Sequence, residues 1–353
     1  MASIETPQFG ELAPSVERLR PVRIWLYVMA VLVILMVALG GITRLTDSGL
    51  SIVEWKPISG TLPPLSEAEW LADFEAYKQI PEYQLQNRGM SLSEFKYIVW
   101  WEWAHRFFGR LLGVAFAVPF LVFLVQRRLS WNLALPLASL FVLGGLQGAL
   151  GWWMVSSGLS GRVDVSQYRL AAHLGAAAVL FVALVWVARR LEPRPMSPLR
   201  PRWPILLLFG LVYLQLVAGA FVAGLDAGMG YTTWPLMDGA FIPAGLDAID
   251  PFWRNLFENA LTVQFQHRML AYLLLAYALF LLWRQARLGG FAGAHGWLPR
   301  IVLLLGLQML IGIATLLAQV PTWLALGHQS LAFMLLGAIV AYLADMTGKS
   351  ERY

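Results

Sequence analysis

The sequence predicts an all-α integral membrane protein of eight transmembrane helices, arranged as two tandem four-helix bundles with pseudo-two-fold symmetry along the membrane normal. Three observations carry this expectation. Of 353 residues, 58% are hydrophobic and only 13% charged, whereas a soluble domain carries roughly a quarter charged residues. The apolar residues fall in uninterrupted blocks of about twenty, the length that crosses a hydrocarbon core of roughly 30 Å. The chain also repeats itself once, which divides the blocks four and four.

The blocks, spans 1 to 8, run approximately over residues 23–43, 96–125, 133–155, 168–188, 204–224, 260–283, 300–319 and 324–345. Their connections are of two alternating kinds. One set is short and basic. It holds Arg18, Arg20 and Arg23, then Arg127 and Arg128, and then Arg189, Arg190, Arg194, Arg200 and Arg202. Arg284, Arg287 and Arg300 follow, with Lys349 and Arg352 in the tail, so that these sites carry 15 of the 26 basic residues. The other set, about 44–95, 156–167, 225–259 and 320–323, is longer or less basic and holds most of the acidic residues. The positive-inside rule then puts both termini in the cytoplasm and the long loops outside.

The formal charge of +5 thus reads as a topology signal, and no nucleic-acid partner is expected. The absence of cysteine excludes disulfides, thiolate metal sites, iron–sulfur clusters and cysteine nucleophiles. Span 1 follows a polar stretch of about twenty residues and is too long for a signal-peptide core, and no arginine-rich transit peptide precedes it. The expectation is a retained first span and a multi-pass protein of the bacterial inner membrane.

The repeat is read directly. Residues 40–64, GGITRLTDSGLSIVEWKPISGTLPP, align with residues 219–243, GAFVAGLDAGMGYTTWPLMDGAFIP, at a constant offset of 179. This pairs Gly40 with Gly219, Asp47 with Asp226, Gly49 with Gly228, Trp55 with Trp234, Gly60 with Gly239 and Pro64 with Pro243. His105-Arg106 matches His267-Arg268, and Leu146-Gln147 with Gly151 matches Leu307-Gln308 with Gly312. His173 falls near the place of His328. Both copies begin at the cytoplasmic face, so the repeats are parallel. The expected division is a cytoplasmic segment 1–22, an N-terminal half 23–190, a basic linker 191–203, a C-terminal half 204–345 and a cytoplasmic tail 346–353.

Of five histidines, His295 lies in a Gly-rich cytoplasmic loop and reads as solvated. His105, His173, His267 and His328 sit on spans 2, 4, 6 and 8, each one to two turns from the outer end, two per half. One reading is helix packing through hydrogen bonds. The other is axial ligation, since two facing imidazoles in a bundle suit a six-coordinate haem iron. Zinc competes less well, because two ligands leave a tetrahedral site half empty. The small residues Ala104, Gly109, Ala171, Ala172, Gly175, Gly327 and Ser330 suit a flat macrocycle between helices and equally suit close helix packing. Arg106, Arg110 and Arg268 beside the histidines are candidate partners for haem propionates; snorkelling to the interface is the alternative.

The halves differ at one charged position. WWEWAHR on span 2 faces VQFQHR on span 6, so Glu102 stands where Gln264 does, three residues before the histidine. That spacing shares a helix face, and an intramembrane carboxylate is a functional candidate by default; a carboxylate paired with an arginine near the interface is the alternative. Glu54 against Thr233, in the outer loops, is a second and lesser candidate. The reading is one half that does chemistry and one that holds a permanent electron-transfer haem.

The spans, the four histidines, the GGITRLTDSGLSIVEWKPISGTLPP segment and EFKYIVWWEWAHRFFGR together resemble the haem A synthase family. The likeness is to its alphaproteobacterial and mitochondrial class, which lacks a cysteine pair in the first outer loop. It covers about residues 23–345. It implies an oxidoreductase that converts haem O to haem A by oxidising the C8 methyl to a formyl group. It also implies haem b on His267 and His328, the haem O iron between His105 and His173, and a catalytic Glu102. Implied partners are the membrane, haem O synthase, an electron-transfer partner and cytochrome oxidase assembly factors; a homo-oligomer is left open. Two rivals stand beside it. A b-type cytochrome carrier usually puts two histidines on each of two helices, not one on each of four. A transporter places its site near mid-membrane, often at broken helices.

Overall fold

The computed structural model describes residues 13–56, 59–192, 202–289 and 296–347. Its helices are α1 (Ala13–Leu45), α2 (Glu67–Tyr77), α3 (Pro81–Leu85), α4 (Leu92–Val125), α5 (Trp131–Val155), α6 (Gln167–Arg190), α7 (Trp203–Gly224), α8 (Ala227–Gly230), α9 (Asn255–Glu258), α10 (Ala260–Gly289), α11 (Trp297–Leu317) and α12 (Thr322–Asp345). Eight of these, α1, α4, α5, α6, α7, α10, α11 and α12, are long and apolar enough to cross a membrane. They coincide with the eight expected spans. His295, Arg194, Arg200, Lys349 and Arg352 lie outside the described residues.

The long helices are hydrophobic on all faces, as the bilayer demands. With no water to bond exposed amides, each span must satisfy its own backbone. α1 packs on α4 and α6, and α5 on α4 and α6, closing a ring of four. α7 packs on α10 and α12, and α11 on α10 and α12, closing a second. α6 meets both α7 and α12, and α1 meets α12, so the main core lies where these central helices join. Phe181 of α6 against Phe333 of α12, with ring centroids 5.4 Å apart, is its aromatic centre. Large apolar side chains such as Leu135, Val142, Leu303 and Leu310 point outward from α5 and α11, where lipid is their solvent.

Both ends of the central helices are fastened by charge. At the outer end Arg44 meets Asp226 at 2.7 Å, Asp164 at 3.1 Å and Asp47 at 3.3 Å. Asp47 and Asp226, a repeat pair, both hold a left-handed backbone, φ 49° and 48°. Aspartate tolerates this conformation better than most residues, which explains why that residue type recurs. At the opposite end Arg189 forks onto Asp345 at 3.0 and 2.9 Å, and the indole of Trp297 donates to the same carboxylate at 2.7 Å.

The outer loops are structured. α2 and α4 each open on a capping box. Ser66 and Glu69 close the first, and Ser91 and Glu94 close the second. Trp70, Phe74 and Tyr77 of α2, Ile80, and Phe95, Ile98 and Val99 of α4 form a separate apolar cluster with Leu50 and Val165. This cap sits on an extension of α4 that begins before the expected block, at Leu92. His105 consequently lies deeper along its helix than expected, whereas His173, His267 and His328 lie one to two turns from their helix starts. The 225–259 loop is organised by buried Asn255, which bonds Ile249 N at 3.0 Å, Ile249 O at 2.6 Å and Phe252 O at 2.9 Å.

Candidate functional site

Each of the four histidines lies on an even-numbered span and rests on a glycine of the preceding span. A β-carbon added to Gly40 of α1 would lie 3.0 Å from His105 Nε2. One on Gly151 of α5 would lie 3.1 Å from His173 Cε1, and one on Gly219 of α7 would lie 3.2 Å from His267 Cε1. One on Gly312 of α11 would lie 2.7 Å from His328 Cε1. Glycine is thus required in each cradle by the close approach of an imidazole. All four rings are half-buried. The His267 and His328 rings face one another with centroids 6.4 Å apart and planes at 71°.

Three of the histidines are also gripped by a glutamine one turn before the cradle glycine. Gln147 Nε2 donates to the His173 carbonyl at 2.6 Å, Gln215 to the His267 carbonyl at 3.0 Å, and Gln308 to the His328 carbonyl at 2.9 Å. The same amide nitrogens approach the rings at 3.1, 3.2 and 3.5 Å. Sequence reading paired Gln147 with Gln308 without giving them a task, and it missed Gln215. The signal was present as glutamine four residues before glycine on three odd-numbered spans.

Above each first histidine stands a matching hydrogen-bonded frame. Arg106 donates to the carbonyls of Ile52 at 2.9 Å and Glu54 at 3.2 Å. Arg268 donates to those of Tyr231 and Thr233, both at 2.8 Å. These carbonyls are the positions that the repeat aligns. Within the frame, buried Glu102 receives Arg106 at 2.7 and 3.1 Å on one oxygen, and the Ser51 hydroxyl at 2.8 Å and Ile52 N at 2.7 Å on the other. Gln264 instead donates to Ala227 O at 2.8 Å and Tyr231 O at 3.1 Å, and accepts from Arg268 at 3.0 Å. A carboxylate with four donors is fully satisfied.

The family model described as "Cytochrome oxidase assembly protein" matches residues 23–340. The chain is 53% identical over 336 residues to "Heme A synthase" of Azorhizobium caulinodans, covering 94% of each chain. It is 53% identical over 320 residues to "Heme A synthase" of Parvibaculum lavamentivorans, 90% of this chain and 91% of the relative. It is 54% identical over 330 residues to that of Bradyrhizobium diazoefficiens, 92% and 91%. The chain belongs to this family.

In this family member, the other expected site residues fall as follows. Glu54 is exposed and ion-paired with Lys56, and only its backbone carbonyl reaches the frame. Arg110 donates to the Lys56 carbonyl at 3.1 Å. Arg106 has its donors on Glu102 and the loop carbonyls. Arg268 keeps a buried Nε with no acceptor among the described residues. Near the frame, Glu82 of α3 is buried under the cap, and desolvation pushes its carboxyl up to about 8. Burial also raises Asp47 and Asp164 from their ordinary value, against the opposing pull of Arg44.

Proposed function

We propose that this chain is a haem A synthase of the bacterial inner membrane, with both termini cytoplasmic. It oxidises the C8 methyl of haem O to a formyl group in two successive steps, through haem I, to give haem A for cytochrome oxidase. The observation that carries the reading is the repeated set of four histidines seated on cradle glycines, with a facing His267–His328 pair in one half and, in the other, a buried Glu102 beside His105 where the C-terminal half has Gln264. In this reading residues 23–190 form the substrate half and residues 204–345 the electron-transfer half, related by a two-fold axis along the membrane normal.

The donor set suits the group it would hold. Imidazole–metal bonds run about 2.0 Å, and the ring nitrogen lies a further ~1.1 Å from the ring centre, so two imidazoles sharing one ion stand about 6 Å apart between centroids. The His267–His328 separation of 6.4 Å agrees. Among the described residues, no group of three or more His, Asp and Glu is placed to hold a metal ion. We assign haem b to His267 and His328, where it supplies one-electron transfer when bound. The unpartnered Nε of buried Arg268 calls for an acceptor, as a propionate would be. Arg110 is proposed for the same task in the substrate half. Arg106 is committed to Glu102 and is the least suited of the three.

His105 and His173 are proposed to hold the haem O iron from opposite faces, fixing the ring between α4 and α6. Glu102, one turn before His105 on the same face, is the catalytic carboxylate. Its Arg106, Ser51 and Ile52 donors hold it rigidly, so it stabilises positive charge developing at the methyl carbon, and it takes up a released proton by giving up one of those hydrogen bonds. Each oxidation removes two electrons and one C–H proton from the carbon and adds hydroxide from water, releasing a second proton, with the electrons leaving to the electron-transfer partner. Two such steps give a geminal diol, which loses water to leave the aldehyde. Glu54 contributes through its carbonyl in the frame. Haem O synthase, an electron-transfer partner and cytochrome oxidase assembly factors are the partners this activity needs. Pigment extraction from the purified protein tests the proposal. Haem O, I or A beside haem b is expected; haem b alone would favour a b-type cytochrome carrier and overturn it.

A further inference from the structure

The four histidine cradles are alike except in one. Spans 3, 5 and 7 place a glutamine four residues before the cradle glycine: Gln147 before Gly151, Gln215 before Gly219 and Gln308 before Gly312. Span 1 places Met36 before Gly40. The facing helix changes with it. Four residues after the histidine stand Ala177, Ala271 and Ala332 on α6, α10 and α12, but Gly109 on α4. The methyl of Met36 fills that gap, lying 3.4 Å from where a β-carbon on Gly109 would be. One cradle therefore carries a methionine–glycine pair where three carry glutamine–alanine.

The chemical difference is a donor. Each glutamine amide bonds the histidine's own carbonyl and touches its ring, tying the histidine to the neighbouring span at two atoms. A thioether has no hydrogen to donate, so His105 is seated on Gly40 without that tie. His173, across the same site, keeps its glutamine, and both histidines of the other pair keep theirs.

We propose that Met36 is a positioning residue that makes His105 the releasable ligand of the substrate haem, so that a molecule which must enter and leave is gripped on one side only. The group proposed to stay is gripped on both sides. Bulk at Met36 and space at Gly109 keep the helices packed while withholding the hydrogen bond. This inference rests on the assignment of haem O to His105 and His173.

The test is haem loss from the purified full chain, loaded with haem O and mixed with excess apomyoglobin. Wild type is expected to lose haem in two phases, with the fast phase missing in the His105→Ala/His173→Ala double variant, which has neither proposed ligand of that half. Met36→Gln, alone and with Gly109→Ala, is expected to slow the fast phase roughly five- to tenfold, the effect of about one added hydrogen bond, and to leave the slow phase alone. Met36→Leu, which adds no donor, keeps the fast phase. Gln215→Met is the reciprocal variant and is expected to speed the slow phase by a similar factor. A fast phase that is unchanged in Met36→Gln, or slowed equally in Met36→Leu, overturns the inference and leaves the ligand assignment standing. A fast phase that persists in the His105→Ala/His173→Ala double variant overturns the assignment itself.

Discussion

Glu102 and Gln264 occupy the same place in two copies of one hydrogen-bonded frame, each bonded to the arginine one turn later on its helix and to the loop above it. The frame therefore accepts either a carboxylate or an amide, and the difference between the copies is one of charge rather than of architecture.

It follows that Glu102→Gln folds and keeps its haem while losing chemistry. Haem A formation is expected to fall by a factor on the order of 100 or more, the usual weight of a positioned acid–base group. Chromatography of extracted haems, with spectra of the same sample, measures both effects. Wild-type haem A yield would remove Glu102 from the mechanism. Arg106→Ala is expected to be worse for folding, because it strands a buried carboxylate at a cost of about 3–5 kcal/mol.

His267→Ala and His328→Ala are expected to abolish the low-spin haem b spectrum, whereas His105→Ala and His173→Ala spare it. Absorbance and electron paramagnetic resonance of the purified variants decide. A low-spin signal undiminished in His267→Ala refutes that ligand assignment.

The cradle glycines give a graded series. A methyl group at Gly312 would sit 2.7 Å from His328 Cε1, a distance that real contacts do not tolerate, against 3.2 Å for Gly219 and His267. Gly312→Ala must push the imidazole or part α11 from α12, and haem b affinity is expected to fall at least about tenfold. Gly219→Ala is expected to have the smaller effect. Haem titration of each apo-variant checks the order.

Glu82 makes stability depend on pH. Its carboxyl titrates at about 8 in the folded chain because burial disfavours the charge, against an ordinary 4.5. Between these values the folded state holds a proton that the unfolded state has released. Stability therefore falls as pH rises through that window, and it stops falling above the folded value. Glu82→Gln is expected to flatten this slope and to raise the unfolding midpoint at about pH 9, with little change near the ordinary carboxylate value. Fluorescence of Trp70, in the same apolar cap, reports it. An unchanged slope would assign the pH dependence to other groups.

The membrane-spanning fold was legible because lipid imposes a simple rule: length and apolarity decide a span, and all eight blocks became helices. The histidines and Glu102 stood out because ionisable residues are rare in such blocks. The outer loops were less legible, since α2 and α3 are short and their capping boxes lie in a polar stretch with no strong periodicity. The early start of α4 was hidden for the same reason, because Phe95, Ile98 and Val99 serve the cap rather than the bilayer. The grip of the glutamines was invisible because Gln147, Gln215 and Gln308 acquire their meaning only when neighbouring helices bring them against a histidine carbonyl. Likewise, the bonds of Arg106 to two loop carbonyls need the loop's path, which spacing does not supply, whereas its i,i+4 pairing with Glu102 was open to spacing.

The charge clusters at either end of the central helices have a consequence for electron exchange. Arg44 rivets three carboxylates from separate segments at one rim, and the Arg189–Asp345 fork closes the other. Helices tied at both rims resist sliding or splaying as separate lobes, so the haem positions proposed for the two halves would keep one spacing. Under the proposed function, electron transfer over that spacing would be set by the scaffold, and entry and exit of a bulky porphyrin would fall to the peripheral helices.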